Sequence, residues 1–417
     1  MISLKIADSI FYRAIFWGYL VLMGTTLKLT LNLASISTVL IATLITLPFL
    51  AVIFKLQKIR LNGQDIFVLF VSCALMLSCF INITTQGISY IGIIQTLSFI
   101  FPWMLLICVI FGKEYILRNQ PTFWKWFNNF IVILIFLGLL EYFACFYFGF
   151  VPPYKETANG PFFVGYTTIF HALETGVPHF RFYGPFGEPG ELAMWASVLI
   201  VYNLFRRNYL MLGILMLASF LSASPAVYVS LLVAFGFYAF KSKSVISYAT
   251  LFFVVLALWY LLTDIIYAID SILITKESSL AAREEAFIGF FDKFDSLVLN
   301  QPFGISFFET TSAARSSGLS FAGNFTPILA FERGGIVAFV AYLLLLIFGS
   351  MVSFMRIVAS KHSLFSNEIY VYFLMLLPFV VQRSAVLEFG LFPFLFSAIF
   401  LGRLRSQKRN DGLIFSR

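Results

Sequence analysis

The chain has 417 residues, of which 60% are hydrophobic and only 12% are charged, and its formal net charge is +8. A soluble domain carries roughly a quarter charged residues and about half apolar ones, so this composition excludes a soluble fold. The 53 phenylalanines need a solvent that accepts bulky apolar side chains in quantity, which is the acyl region of a bilayer. The sequence therefore predicts an integral membrane protein.

Hydrophobic runs that can cross a bilayer as helices follow one another along the whole chain, since roughly 20 residues suffice for one crossing. They lie at 9–27, 30–54, 65–84, 88–112, 128–150, 190–205, 209–223, 225–240, 245–266, 327–355, 368–383 and 385–402. We predict an all-α, polytopic membrane helix bundle of about 12 transmembrane helices, with 1–417 as one integral membrane domain.

Basic residues in the short connections orient this bundle. With twelve spans, 19 of the 28 Lys and Arg residues fall on one side or in its first helix, whereas only 5 of the 20 acidic residues do. That side is predicted to be cytoplasmic and to hold both termini. The positive charge is thus a topology signal, and no nucleic-acid partner is expected.

Two connections on the outer side are long, at 151–189 and 267–326. The first is rich in Gly, Pro and aromatic residues without a helical period, so we predict an ordered irregular loop. The second begins with an amphipathic helix at about 280–298, in which Phe287, Phe291, Phe294 and Val298 recur at helical spacing. Such a helix is expected to lie in the membrane interface, and function is expected in these two loops.

The most informative run lies where the first loop re-enters the membrane. It reads Arg181-Phe182-Tyr183-Gly184-Pro185-Phe186-Gly187-Glu188-Pro189-Gly190-Glu191-Leu192-Ala193. A helix that begins here offers unpaired N–H groups and its positive dipole end, and Arg181 adds a permanent cation, so the place suits a phosphate. The alternative is that Glu188 and Glu191 cap the helix and pair with Arg181. The residues alone leave both open.

The run resembles the signature of bacterial O-antigen polymerases of the Wzy type, in which an Arg, a Gly, an aromatic residue, a Glu-Pro pair and a later small residue precede a helix. Further pieces are similar in order and spacing to the O-antigen polymerase and ligase superfamily. They are Ser222-Ala223-Ser224, Arg283, Pro302-Phe303-Gly304, and Gly323-Asn324 followed by Gly334-Gly335. The resemblance covers about 181–340, and the first 150 residues match only in being hydrophobic.

The resemblance implies a glycosyltransferase of GT-C-like architecture in the bacterial inner membrane, with two large periplasmic loops, a site facing the periplasm and no cofactor. It would transfer a growing glycan from an undecaprenyl-pyrophosphate carrier to the terminal sugar of another lipid-linked repeat unit. The expected partners are these donor and acceptor units and membrane lipids, with a chain-length regulator as a further candidate.

This chemistry needs cations for the pyrophosphate and a base for the acceptor hydroxyl. Arg181 and Arg283 are the first candidates for the pyrophosphate, followed by Arg315, Arg333 and Arg383. Glu188 is the candidate base, and the alternative is that it orients Arg181 through a salt bridge. Further candidates are Glu191, Glu332, Asn324 and Tyr183. No metal is expected, because no cluster of His, Asp and Cys with metal-ligand spacing occurs.

Two other functions are weighed against the polymerase. Ligases of the superfamily carry a His immediately before the Asn, where this chain has Gly323, and that difference weakens the ligase reading. A lipid-linked oligosaccharide flippase or transporter would also be a bundle of about a dozen helices, but its two similar halves are not evident here.

Glu141 and Glu388 fall inside or near predicted spans, so each is expected to face the bundle interior and to have a partner.

Overall fold

A computed structural model of the chain describes ten segments and a few isolated positions between 93 and 110 and between 224 and 236. The segments are 61–86, 113–149, 154–157, 160–165, 167–171, 182–186, 189–222, 287–305, 326–359 and 368–382. The chain divides into two compact units. The first comprises Met1–Lys55 and Arg118–Ala268, and the second comprises Leu56–Leu117 and Ile269–Arg417.

Three of the described helices are long and apolar enough to cross a membrane, over Gly63–Thr85, Trp124–Cys145 and Thr326–Val358. They coincide with the spans predicted at 65–84, 128–150 and 327–355. Shorter apolar helices occupy the positions predicted at 190–205, 209–223 and 368–383. The described part of the chain is therefore that of a helical membrane protein. The runs predicted at 9–27, 30–54, 245–266 and 385–402 lie outside the described residues, and those at 88–112 and 225–240 are described only at isolated positions.

In the second unit, helix α1 (Gly63–Gln86) packs antiparallel against helix α6 (Thr326–Ala359). The Phe67 and Phe348 ring centroids are 4.9 Å apart at one end, and the Ser78 hydroxyl donates to the Gly334 carbonyl nearer the other. Helix α7 (Glu368–Gln382) packs against α6 as well.

A reciprocal cap fixes the start of α1. The Asn62 N–H donates to Asp65 Oδ2 and the Asp65 N–H donates to Asn62 Oδ1, each at 2.8 Å. Two N–H groups that a helix start would leave open are thereby satisfied.

One side of α6 carries only exposed apolar side chains, which recur every three or four residues. They are Val337, Val340, Leu344, Ile347 and Met351. Because this stripe holds no charge, it suits contact with lipid acyl chains.

Helix α2 (Lys113–Phe148), which belongs to the first unit from Arg118 onward, runs well beyond its predicted span, because the basic connection predicted at its start is already helical. Helix α3 (Pro189–Phe205) is buried along almost its whole length, and α4 (Tyr209–Ser222) packs against it. A predominantly apolar helix that is buried on all sides, as α3 is, belongs inside a bundle.

The connection predicted at 151–189 is not irregular throughout, as it was expected to be. It contains three short strands, β1 (Tyr154–Thr157), β2 (Gly160–Val164) and β3 (Ile169–His171), which form one antiparallel sheet in the order β1-β2-β3. Tyr154 pairs with Phe163, which pairs in turn with Phe170. Strands of three to five residues are too short to show an alternating pattern, which is why the sequence did not reveal them.

The amphipathic helix also departs from its prediction. Residues 287–292 are helical, a turn follows at Lys293, and a second short helix, α5 (Phe294–Asn300), completes the segment. Phe290 is fully buried and contacts Phe331, whereas Phe287 and Phe291 are exposed. Phe290 and Phe294 thus pack on α6, a partner that no helical wheel of the segment itself could indicate, and the location of the segment in the membrane interface stays a prediction.

A pair of asparagines joins α2 to α3. Asn203 Nδ2 donates to Asn128 Oδ1 at 2.5 Å, and Asn128 Nδ2 lies 3.3 Å from Asn203 Oδ1. Both side chains are buried between apolar helices, where neither amide could turn to water.

We expect Asn128→Ala and Asn203→Ala each to lower the stability of the first unit, because each leaves the other amide without its partner. In membrane bundles such a pair contributes about 0.6 to 2 kcal/mol. The measurement is a double-mutant cycle by denaturant unfolding in detergent. Ser197→Ala is the control, since the Ser197 hydroxyl donates within its own helix, to Met194 O at 2.9 Å, and to no other described segment. Strictly additive single variants would contradict the predicted coupling.

Candidate functional site

The helix α6 is broken eight residues after it begins. Gly334 (φ −148°, ψ 15°) and Gly335 (φ 66°, ψ −157°) are not helical, so two helices meet here within one candidate membrane span. A positive φ at Gly335 is a conformation that other residues rarely adopt. The break leaves nearby carbonyls without the N–H groups that a continuous helix would offer them.

A short segment before α6 inserts at the break. The Ile305 N–H donates to the Glu332 carbonyl at 3.0 Å, and the Ile336 N–H donates to the Pro302 carbonyl at 3.1 Å. The 302–305 segment therefore substitutes for the missing turn of the helix. Pro302-Phe303-Gly304 and Gly334-Gly335, which the sequence linked only through a resemblance, meet at this point.

Two polar side chains of α1 complete the arrangement. Asn82 Nδ2 lies 3.1 Å from the Arg333 carbonyl oxygen, 3.3 Å from that of Glu332 and 3.5 Å from that of Ile305. The Ser78 hydroxyl donates to the Gly334 carbonyl. Both side chains are buried. All carbonyls from Glu332 to Gly334 thus have a donor, as the interior of a membrane protein requires.

The close approach of these backbones leaves room only for glycine. A Cβ at Gly304, where φ is +108°, would lie 2.7 Å from the Glu332 carbonyl oxygen, and a Cβ at Gly335 would overlap the Pro302 carbonyl oxygen. A Cβ at Gly334 would lie 2.9 Å from Cys79 Sγ. Glycine is therefore needed at 304, 334 and 335 because neighbouring atoms come too close for a Cβ. At 304 and 335 it is also needed because φ is positive.

Two predicted site residues stand directly before the break. Glu332 is 2% exposed, and Arg333 is half-buried. Placing a charged side chain inside a membrane helix costs about 2.5 to 3.5 kcal/mol on insertion scales, so such residues are kept where they bind or pair. A charged pair of residues at a discontinuous helix is the arrangement in which membrane proteins build polar sites.

In the first unit, the predicted signature run is described in part. Phe182, Tyr183 and Phe186 are buried, and the Phe182 N–H donates to the Leu221 carbonyl at 3.0 Å. Gly184 has φ +58°, as a tight turn before a helix requires. Helix α3 then begins at Pro189, a residue suited to the first helical position, with Glu191 buried in its first turn.

The same unit confirms that Glu141 has partners. Its Oε2 accepts from both the Thr167 N–H and the Thr167 hydroxyl, each at 2.8 Å, and the neighbouring Thr168 hydroxyl donates to the Gly138 carbonyl at 2.8 Å. The turn between β2 and β3 is thereby fastened to α2. The same face of α2 presents Tyr142, whose ring stands edge-to-face to Phe182 at 5.4 Å.

Four of the predicted site residues are thus described. Tyr183 and Glu191 lie in the first unit, and Glu332 and Arg333 lie in the second. Outside the described residues are Arg181, Glu188, Arg283, Arg315, Arg383 and Asn324. Within the described part of the chain, no group of three or more His, Cys, Asp and Glu residues could hold a metal ion.

Sequence reasoning missed Ser78 and Asn82. A signal was present, because two polar residues four positions apart lie on the same face of a predominantly apolar helix. The sequence pattern did not indicate which segment that face would contact.

No family model, no curated protein and no solved structure matches the chain.

We expect Gly335→Ala to destabilise the second unit by about 2 to 5 kcal/mol, through strain at positive φ and overlap with the 302–305 segment. The measurement is the unfolding midpoint in detergent by fluorescence-detected gel filtration. Gly213→Ala is the matched control, because a Cβ at that helical glycine has nothing within 4 Å. It should leave stability unchanged or raise it. An unfolding midpoint of Gly335→Ala equal to the wild-type value would show that the break does not require glycine at position 335.

We expect Glu141→Ala to loosen the turn between β2 and β3, because Thr167 loses the acceptor of two hydrogen bonds. Amide exchange at Thr167 should become about tenfold faster or more, as hydrogen bonds to a charged group contribute about 1.5 to 3 kcal/mol. Glu141→Gln keeps one acceptor oxygen and should have a smaller effect. Lys125→Ala, at an exposed position of the same helix, is the control and should leave this exchange rate unchanged. Unchanged exchange in Glu141→Ala would show that the turn does not depend on this contact.

Proposed function

We propose that the chain is a polymerase of O-antigen or a similar surface polysaccharide. It transfers the growing glycan from an undecaprenyl-pyrophosphate carrier to the terminal sugar of another lipid-linked repeat unit. In this proposal the chain crosses the bacterial inner membrane about 12 times in a GT-C-like arrangement. Both termini are cytoplasmic, and the site faces the periplasm.

The observation that carries the proposal is the interlocking of Pro302-Phe303-Gly304 with Gly334-Gly335 beside Glu332 and Arg333. Both glycine-containing pieces belong to the ordered set on which the resemblance depends. Their mutual fit gives a physical reason for both to be in one sequence. It also supports a polar site at this point, because the break holds two ionisable residues in a helix whose central part is apolar.

The reaction itself asks little of the protein beyond charge and positioning. The acceptor hydroxyl oxygen attacks the anomeric carbon of the donor glycan, and the bond from that carbon to the pyrophosphate oxygen breaks. The hydroxyl proton passes to a carboxylate, and the polyprenyl pyrophosphate leaves with the bonding electrons. Two or three arginines suffice to bind this leaving group, since a charge-assisted hydrogen bond contributes about 1.5 to 3 kcal/mol.

Roles follow from the residue types. Arg333 is the described candidate for the pyrophosphate, and Arg181, Arg283, Arg315 and Arg383 complete the set of candidates. Glu188 is the proposed base, with Glu191 and Glu332 as alternatives, and Tyr183 and Asn324 are proposed to line the site. A chain-length regulator is proposed as a partner.

The test is complementation of a gene deletion in the native host. Lipopolysaccharide from the deletion strain should show a core with one repeat unit, and the wild-type gene should restore a ladder. Arg181→Ala, Arg283→Ala and Arg333→Ala should each lower long-chain product about tenfold or more, because loss of one such bond removes roughly 1.5 to 3 kcal/mol of binding.

Arg356→Ala is the matched control, because Arg356 lies in the last turn of α6, the same helix, at the end opposite Arg333. It should support a normal ladder at equal expression. A bare core in the deletion strain would reject the polymerase and leave a ligase or a flippase. A ligase and a flippase are then distinguished by whether polymer or single repeat units accumulate on the lipid carrier, and by the face of the membrane on which they accumulate.

A further inference from the structure

The amide of Asn82 reaches three carbonyl oxygens that belong to two separate segments. Those of Arg333 and Glu332 lie on the N-terminal side of the break in α6, and that of Ile305 lies in the inserted segment. We propose that Asn82 is a positioning residue, which orients Arg333 for the donor pyrophosphate by holding the Arg333 carbonyl. This inference rests on the proposed function.

The break in α6 leaves carbonyl groups that need hydrogen-bond donors. A carbonyl at membrane depth cannot turn to water, so the ends of a broken helix need donors from the protein. The Ile305 N–H serves Glu332, and the Ser78 hydroxyl serves Gly334. Asn82 Nδ2, which lies 3.1 Å from the Arg333 carbonyl oxygen, serves Arg333.

The side chain of Asn82 is suited to bonding the carbonyls at the break. A primary amide nitrogen has two N–H donors, so it can serve carbonyls on both sides of a junction at once. Asn82 is fully buried on α1, a helix that packs along α6, so its position is set by the bundle and not by the break itself. The bundle therefore holds the Asn82 amide in place, and its hydrogen bonds restrain the backbone at the break.

The hydrogen bond from Asn82 also restrains Arg333. Its side chain starts from the residue whose carbonyl Asn82 holds, one position before Gly334. The glycines on the C-terminal side allow backbone conformations that other residues rarely adopt, so loss of the amide removes a restraint on the orientation of Arg333. A misplacement of about 1 Å at a reacting centre lowers a rate by up to roughly 100-fold.

The experiment is a double-mutant cycle between Asn82→Ala and Arg333→Ala on the full chain in nanodiscs. Initial rates of polymerisation of lipid-linked repeat units are measured over a range of donor concentrations, with donor in excess over enzyme and long time courses for slow variants. We expect Asn82→Ala to lower the rate about tenfold or more in the wild-type background and to have no further effect when Arg333 is absent. It should also raise the KM for the donor, as Arg333→Ala does.

Two more variants make the result specific. Asn82→Asp has the same shape but sets a carboxylate among carbonyls, so it should be at least as impaired as Asn82→Ala. Ser72 lies on the same helix and is equally buried, and its hydroxyl makes no hydrogen bond within the described segments, so Ser72→Ala should keep wild-type kinetics. Gel filtration of each variant reports the amount of folded protein, and a purely structural defect would lower kcat at unchanged KM.

The outcomes separate the two proposals. If the wild-type chain makes no polymer from lipid-linked repeat units, the proposed function fails and the role of Asn82 in it fails too. If the wild type polymerises but Asn82→Ala lowers the rate equally with and without Arg333, the positioning role is overturned while the polymerase stands. Wild-type kinetics in Asn82→Ala or in Arg333→Ala would overturn the positioning role as well.

Discussion

Inside a bilayer the backbone has no water to bond to, and the break in α6 is the place where this constraint acts most strongly. The carbonyls from Glu332 to Gly334 find donors on two other segments, α1 and 302–305. These three segments are far apart in sequence, and the need to satisfy one another's polar groups brings them together. The shape of the candidate site in the second unit is a consequence of that need.

Other polar groups of the described helices follow the same rule. Asn128 and Asn203 pair with each other across α2 and α3, and Glu141 accepts two hydrogen bonds from Thr167. Each of these contacts links elements that apolar packing alone would leave free to slide or rotate. The polar contacts of this protein therefore specify the register of its helices, whereas its many phenylalanines supply the bulk of the packing.

The glycines of the break show how local and tertiary demands coincide. Gly335 has a positive φ, and it also lies against the Pro302 carbonyl, so a side chain there would be excluded twice. Gly304 is held in the same way, with positive φ and the Glu332 carbonyl close by. Pro302-Phe303-Gly304 in one piece and Gly334-Gly335 in the other supply the glycines that such an interlocked backbone needs.

Hydrophobicity alone determined much of this protein. Long apolar runs have only one suitable solvent, so the membrane class and the helices at 65–84, 128–150 and 327–355 followed from the sequence. The site followed in part: Glu332, Arg333 and the paired glycines were identified, but their contacts with Ser78 and Asn82 were not. Only the tertiary structure decided those contacts, the sheet of β1 to β3 and the inward turn of Phe290. The reason is physical, since each depends on a partner many residues away, and a local pattern shows that a face is polar or aromatic without showing what it will meet.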